Sequence, residues 1–180
     1  MSNRDFPVLH GPNVTLRPAR AEDVDAFLAL ESDPQIHEMF GGSRDTFGPM
    51  TSEVADSIVR RLIQHPFAWV MEQDRVIGEV RLDRVDLNDR RASLAIGIYD
   101  PRCLGRGFGT EAIRLVLGFA FGKLKLHRIS VRVLAYNHRA VRAYQKCSFV
   151  VEGLEREAAR INGEWHDDIM MGLLDHEFRQ

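Results

Sequence analysis

The segment Leu104-Gly105-Arg106-Gly107-Phe108-Gly109-Thr110-Glu111 carries the clearest chemistry in this 180-residue chain. A strand-like run, Ala92 to Tyr99, precedes it, and a helix-like run, Ala112 to Phe121, follows. Glycines in such a turn let the backbone approach a ligand closely. The turn then aims several N–H groups and the positive end of a helix at one point, which suits a phosphate or pyrophosphate. Asn137 stands directly before a second helix-like run and reads as its N-cap. Tyr144 lies seven residues on, two helical turns along the same face, a place for either a core ring or a reactive phenol. On that helix Arg139 and Arg142 form either a solvated face or a contact to a phosphate. Cys103 and Cys147 have no histidine near them in sequence, which argues against a covalent thiol route. His127, His138 and His166 are scattered, with no pair at ligand spacing on one helix, so no metal is expected.

The turn itself narrows the ligand. Its glycine spacing is not Gly-x-Gly-x-x-Gly, and no Gly-x-x-x-x-Gly-Lys-Ser/Thr occurs. A nicotinamide site needs the turn early in a βαβ unit and an acid at the end of the next strand, to hold a ribose. Here the turn lies past the midpoint, and the next strand ends at Leu134-Ala135-Tyr136-Asn137 without an acid.

The elements that position these residues can be read along the chain. Asn13 to Pro18 alternates as a strand, after a lead-in that we place at residues 1–12. Glu22 to Leu30 has helical spacing, and Asp33-Pro34 is read as its stop. Thr51 or Ser52 can cap a second helix with the stripe Val54, Ile58, Leu62. Between them Ser32 to Met50 is irregular, with Phe40 and Phe47 lacking an obvious partner. It reads as a mobile connection or as a lid over a substrate. Phe67 to Met71 and Arg75 to Asp86 are strands, and Ala92 to Tyr99 follows. The odd face of that last strand, Ser93, Ala95 and Gly97, is small enough to leave room for a ligand. Arg128 to Leu134 is a strand and Asn137 to Cys147 a helix. Two more strands, Phe149 to Ala158 and Trp165 to Leu174, flank the hairpin signal Asn162-Gly163. This order makes one mixed α+β domain over residues 13–180. The net charge of -2 argues against a nucleic-acid platform. No apolar run approaches a membrane span, Met1 to His10 lacks a signal-peptide core, and two cysteines make no disulfide framework. A cytoplasmic protein is expected.

Gly105-Arg106-Gly107-Phe108-Gly109-Thr110-Glu111-Ala112 resembles the pyrophosphate loop of the GCN5-related N-acetyltransferases (GNAT). Leu126-His127-Arg128-Ile129, the stretch Asn137 to Lys146, Phe149-Val150-Val151-Glu152-Gly153 and Gly163 to Asp168 follow in an order and spacing similar to the RimJ/RimL-like branch of that family. The resemblance implies a mostly antiparallel sheet of about seven strands flanked by about four helices, splayed between the fourth and fifth strands. It implies acetyl-CoA as co-substrate and an amine acceptor, either a small molecule or a protein N-terminus. Leu104 to Thr110, with Arg106, Gly107, Phe108 and Gly109 among them, would hold the pyrophosphate. The pantetheine arm would lie along Ile96, Gly97 and Ile98, with an N–H there, at Ile98, polarising the thioester carbonyl. Asn137 would bond the arm, and Tyr144 would protonate the departing thiolate. Of the arginine pair, Arg142 is taken as the one to reach a phosphate if that face is not simply solvated. A homodimer fits the resemblance but no motif demands it.

The chain departs from that pattern in informative places. Relatives carry an acid five residues before the cofactor asparagine, or in the strand before the loop. Here those positions are Arg132 and Ser93, Leu94, Ala95. Glu79, Asp100 and Glu38 remain as candidate bases for the amine, each also readable as an ordinary surface or loop acid, and Glu79 ranks first because its strand flanks the expected cleft. Leu104 replaces a larger residue, and Ser148 stands where a glycine is usual after the tyrosine helix, so that end is expected to be strained or shaped differently. A domain that binds an acyl-CoA without turnover is the competing reading.

Overall fold

A computed structural model describes residues 7–179. Among them the chain forms eight strands and five α-helices. In order these are β1 (Leu9–His10), β2 (Thr15–Arg17), α1 (Asp23–Leu28), α2 (Pro34–Met39), α3 (Ser52–Gln64), β3 (Ala68–Glu72), β4 (Val76–Asp86) and β5 (Arg91–Ile98). Then come α4 (Phe108–Gly122), β6 (Arg128–Leu134), α5 (His138–Lys146), β7 (Val150–Ile161) and β8 (Glu164–Leu174). All strands join one sheet in the order β1-β2-β3-β4-β5-β6-β8-β7, antiparallel except for β5 and β6. The mixed, mostly antiparallel architecture expected from the sequence is present, with one more strand and one more helix. The added strand is β1, inside the supposed lead-in, and it pairs with β2. Residues 1–6 of that lead-in lie outside the described part.

The added helix is α2, in the segment read as irregular. Asp33-Pro34 starts a helix here as well as ending one. Asp33 accepts the Ile36 N–H at 2.9 Å, and Pro34 takes the first helical position, where a missing N–H costs nothing. The stripe of α3 also differs. Thr51 caps it as expected, but Ala55, Val59 and Leu62 are the buried face, and Val54 is exposed. Both sets have helical spacing, and packing against Phe27 of α1 and Ala68 and Val70 of β3 selects the second.

Two cores sandwich the sheet. On one face α4 packs Ala112, Ile113, Val116 and Leu117 against Val80, Leu82, Leu94, Ile129 and Val131. On the other, α1 and α3 cover Ala68, Val70 and Val76. The parallel pair β5–β6 is short. Arg91 to Ser93 pair with Arg128 to Ser130, and beyond that the strands part. The splay falls where the resemblance placed it, and it opens the sheet beside the glycine turn.

Candidate active site

The opening between β5 and β6 is a cleft of about 570 Å3. Gly105, Gly107, Gly109 and Thr110 line it, together with Ile96 and Ile98 of β5, Asn137, and Tyr144 of α5. Leu104 and Arg142 line it too. Of the expected cofactor residues Gly97, Arg106 and Phe108 do not.

The turn has the geometry its glycines suggest. Gly105 and Gly107 have φ of +74° and +90°, a region open to glycine and costly for other residues. Gly107 is the N-cap of α4 and supplies no side-chain cap. Helix geometry therefore leaves the N–H groups of Phe108, Gly109 and Thr110 without intrahelical partners, at the mouth of a cleft. That is a fit for a pyrophosphate. Phe108 turns into the core, and Arg106 lies over its ring with the guanidinium carbon 5.0 Å from the centroid. Glu111, in the first turn of α4, accepts both Asn13 N–H groups at 2.8 Å and the Val14 N–H at 3.0 Å. It ties α4 to the start of β2.

Tyr144 is buried, and its hydroxyl has no hydrogen-bond partner among the described residues. No fully enclosed side-chain polar atom there lacks a partner, so this hydroxyl opens on the cleft. Burial pushes the phenol well above its ordinary pKa, so it keeps its proton at neutral pH. Asn137 caps α5 by accepting the Ala140 N–H at 3.1 Å, and its amide donates to the Met39 carbonyl at 3.3 Å.

That second bond belongs to a roof over the cleft made by α2 and the turn after it. Tyr136 donates to the Glu38 carbonyl at 2.8 Å. Asn162, at the tip of the β7–β8 hairpin, accepts from Arg44 N–H at 2.6 Å, and its amide donates to Glu38 at 3.0 Å. The two phenylalanines without expected partners find them here: Phe40 packs on Tyr99 and Phe47 on His37. The small odd face of β5 is not left open for a ligand at Gly97. A Cβ there would sit 3.1 Å from Phe40 and 3.3 Å from Tyr99, so aromatic rings fill that space.

The three acids named as bases are all held by arginines. Glu79 does not line the cleft. Its carboxylate takes Arg61 at 3.0 and 2.9 Å and Arg81 at 2.6 Å. Asp100 is buried under Arg75 and Arg102. Burial raises its pKa, and the bonds from Arg102 and the charge of Arg75 outweigh that and hold it low. Glu38 is held low by Arg44 and Asn162. Both cysteine thiols are pushed up by burial, Cys147 to about 11, which disfavours the thiolate that a nucleophile needs. One acid that sequence reasoning passed over does line the cleft: Asp168 of β8, paired in register with Leu134 of β6.

A family model for the acetyltransferase (GNAT) domain matches residues 13–150. The chain belongs to the GNAT acetyltransferase family. It is an acetyl-CoA-dependent N-acetyltransferase. A probable N-acetyltransferase of Bacillus subtilis, YjcK, is 29% identical over 96% of this chain and 100% of its own length. The spermidine N(1)-acetyltransferase of Escherichia coli K12 is 26% identical over 92% of this chain and 88% of its own. Among solved structures, spermidine N-acetyltransferase from Vibrio cholerae in complex with CoA and spermine superposes with a TM-score of 0.76. It is 27% identical and covers 93% of this chain and 98% of its own.

Proposed function

We propose that this GNAT enzyme moves an acetyl group from acetyl-CoA to a primary amine by direct attack, with Tyr144 as general acid. One observation carries the reading. The orphan N–H groups of the glycine turn and the free Tyr144 hydroxyl open on the same cleft, which passes through the sheet at the splay. Acetyl-CoA, when bound, supplies an activated acetyl group. The chain's own residues do the rest. The turn from Leu104 to Thr110 holds the pyrophosphate by backbone N–H groups, and Arg142, which lines the same cleft, bonds a phosphate. The splayed edge of β5 at Ile96 and Ile98 offers backbone bonds to the extended arm, with an N–H to steady the carbonyl oxygen. Tyr144 keeps its proton until a thiolate forms and then gives it up. Asn137 fixes the start of the helix that carries Tyr144.

The spermidine acetyltransferases among the relatives support a small-molecule amine as acceptor. Thiol release from acetyl-CoA, followed with a panel of primary amines, tests the reading. Amine-dependent release is the expected result. CoA binding, seen as a raised melting temperature, with no release on any amine would make the domain an acyl-CoA sensor instead.

A further inference from the structure

The cleft has two sides, and strand alternation separates them. Ile129, Val131 and Val133 of β6 pack in the core under α4, together with Tyr144. The intervening residues Arg132 and Leu134 therefore present the opposite face, where α2 forms the roof. Register places Asp168 beside Leu134 on that same face. The glycine turn and Tyr144 thus reach the opening from one side, and Asp168, Arg132 and the α2 residues Ile36 and Met39 from the other.

Asp168 is the one carboxylate lining the cleft among the described residues, against four cationic side chains, Arg132, Arg139, Arg142 and Lys146. It is only 2% exposed. Its Oδ2 meets Arg132 Nε at 2.7 Å, and its Oδ1 has no hydrogen-bond partner among the described residues. No fully enclosed side-chain polar atom among the described residues lacks a partner, so this oxygen opens on the cleft, whose chemistry needs a proton acceptor.

We propose that Asp168 receives the acceptor's ammonium group at Oδ1 and takes the proton the amine must lose before it attacks. This assignment rests on the direct-transfer reading above and deepens it. Asp168 removes one proton from R–NH3+, and the freed nitrogen lone pair forms the N–C bond to the acetyl carbonyl carbon. The C–S bond breaks, and the thiolate takes the Tyr144 proton. The nitrogen's second proton returns to the phenolate through water, and the proton on Asp168 passes to solvent. The sum is ammonium plus thioester to amide plus thiol plus one proton. Burial lifts the Asp168 carboxyl above its ordinary value despite Arg132, which brings it nearer the pH at which it must work. Arg132 is a positioning residue that balances the carboxylate when it is ionised.

The same lining points to the acceptor. One acid can satisfy one ammonium, and beside Asp168 and its partner Arg132 the lining holds the apolar residues Ile36, Met39, Phe40, Leu134 and Ala159. A primary monoamine with an apolar body fits it better than a polyamine, whose further charges would find no carboxylate there.

The test follows thiol release with 2-phenylethylamine, spermidine and an alanine-initiated tripeptide, from about pH 6 to about pH 10. At pH 7 Asp168→Asn is expected to lose about 100-fold in kcat/KM. It should regain most of that as pH approaches about 10, where the amine deprotonates unaided. CoA affinity should not change. A merely structural role for Asp168 would lower the rate equally at every pH, and either that result or an unchanged rate overturns the assignment. If Asp168→Asn does not fold, Arg132→Gln reads the same group. Losing the guanidinium should move the acidic limb of the pH profile upward, and a limb that stays in place overturns the assignment. Spermidine preferred over 2-phenylethylamine overturns the acceptor class. No release by the wild-type protein on any amine overturns the direct-transfer reading and this assignment with it. Release that Asp168→Asn leaves intact overturns this assignment alone.

Discussion

Tyr144 and Phe149 pack edge to face with ring centroids 5.5 Å apart, and they are the two ends of the motif that closes α5. The Phe149 N–H donates to the Tyr144 carbonyl at 3.1 Å, and the Ser148 N–H to the Gln145 carbonyl at 3.0 Å. This is the double bond of a Schellman helix end, with its usual apolar contact. The phenol proposed as the acid is therefore aimed by the way its helix terminates.

Ser148 holds the left-handed position of that motif, with φ of +70°. The expected strain is present, since a residue with a Cβ pays for this conformation and glycine does not. Ser148→Gly should stabilise the protein by about 1 kcal/mol, net of glycine's greater entropy loss. Denaturant unfolding measures this, and a destabilised variant would contradict it.

At the turn, Gly107→Ala separates backbone shape from crowding. Nothing lies within 4 Å of a Cβ built there, so the methyl group has room, but φ is +90°. The account predicts a stability loss of about 1 to 2 kcal/mol. It also predicts a CoA affinity at least about tenfold weaker, because the N–H groups after Gly107 are re-aimed. Calorimetric titration with CoA checks this, and wild-type affinity would remove the turn from the site.

Glu111 should make stability depend on pH. Burial raises its pKa, but the bonds from Asn13 and Val14 outweigh that and leave the carboxyl lowered in the folded state. A group depressed on folding stabilises above its unfolded pKa, about 4.3, and the contribution is lost as pH falls through the lower folded value. Glu111→Gln should cost about 1 to 2 kcal/mol at pH 7. The gap to wild type should close as pH falls below about 4. Equal melting differences at neutral and acid pH would contradict this role.

Features written in adjacent residues were legible in the sequence. The glycine turn, the Asn162-Gly163 hairpin and the β6 strand depend on local backbone preference, and each is where expected. Asn162 and Gly163 both have the positive φ such a turn needs. Features decided by tertiary contact were not. Asp33-Pro34 suits a helix start as well as a stop, and the bond to Ile36 decides it. Glu79 was chosen for its strand, but the arginines on α3 and β4 that grip it appear only once those elements pack. Asp167-Asp168 shows only that one of two neighbouring acids faces inward. Which one, and into what, depends on β8 pairing with β6 beside the splay. Alternation along Trp165 to Leu174 was the available signal.

In the proposed reaction Tyr144 gives a proton to the leaving thiolate. The most direct measurement is single-turnover acetyl transfer by Tyr144→Phe with an accepted amine, alongside CoA binding. The account predicts a chemical step slowed by about 100-fold or more. It predicts CoA affinity and melting temperature close to wild type, because the hydroxyl has no hydrogen-bond partner among the described residues. A variant that transfers acetyl at the wild-type single-turnover rate would contradict the account.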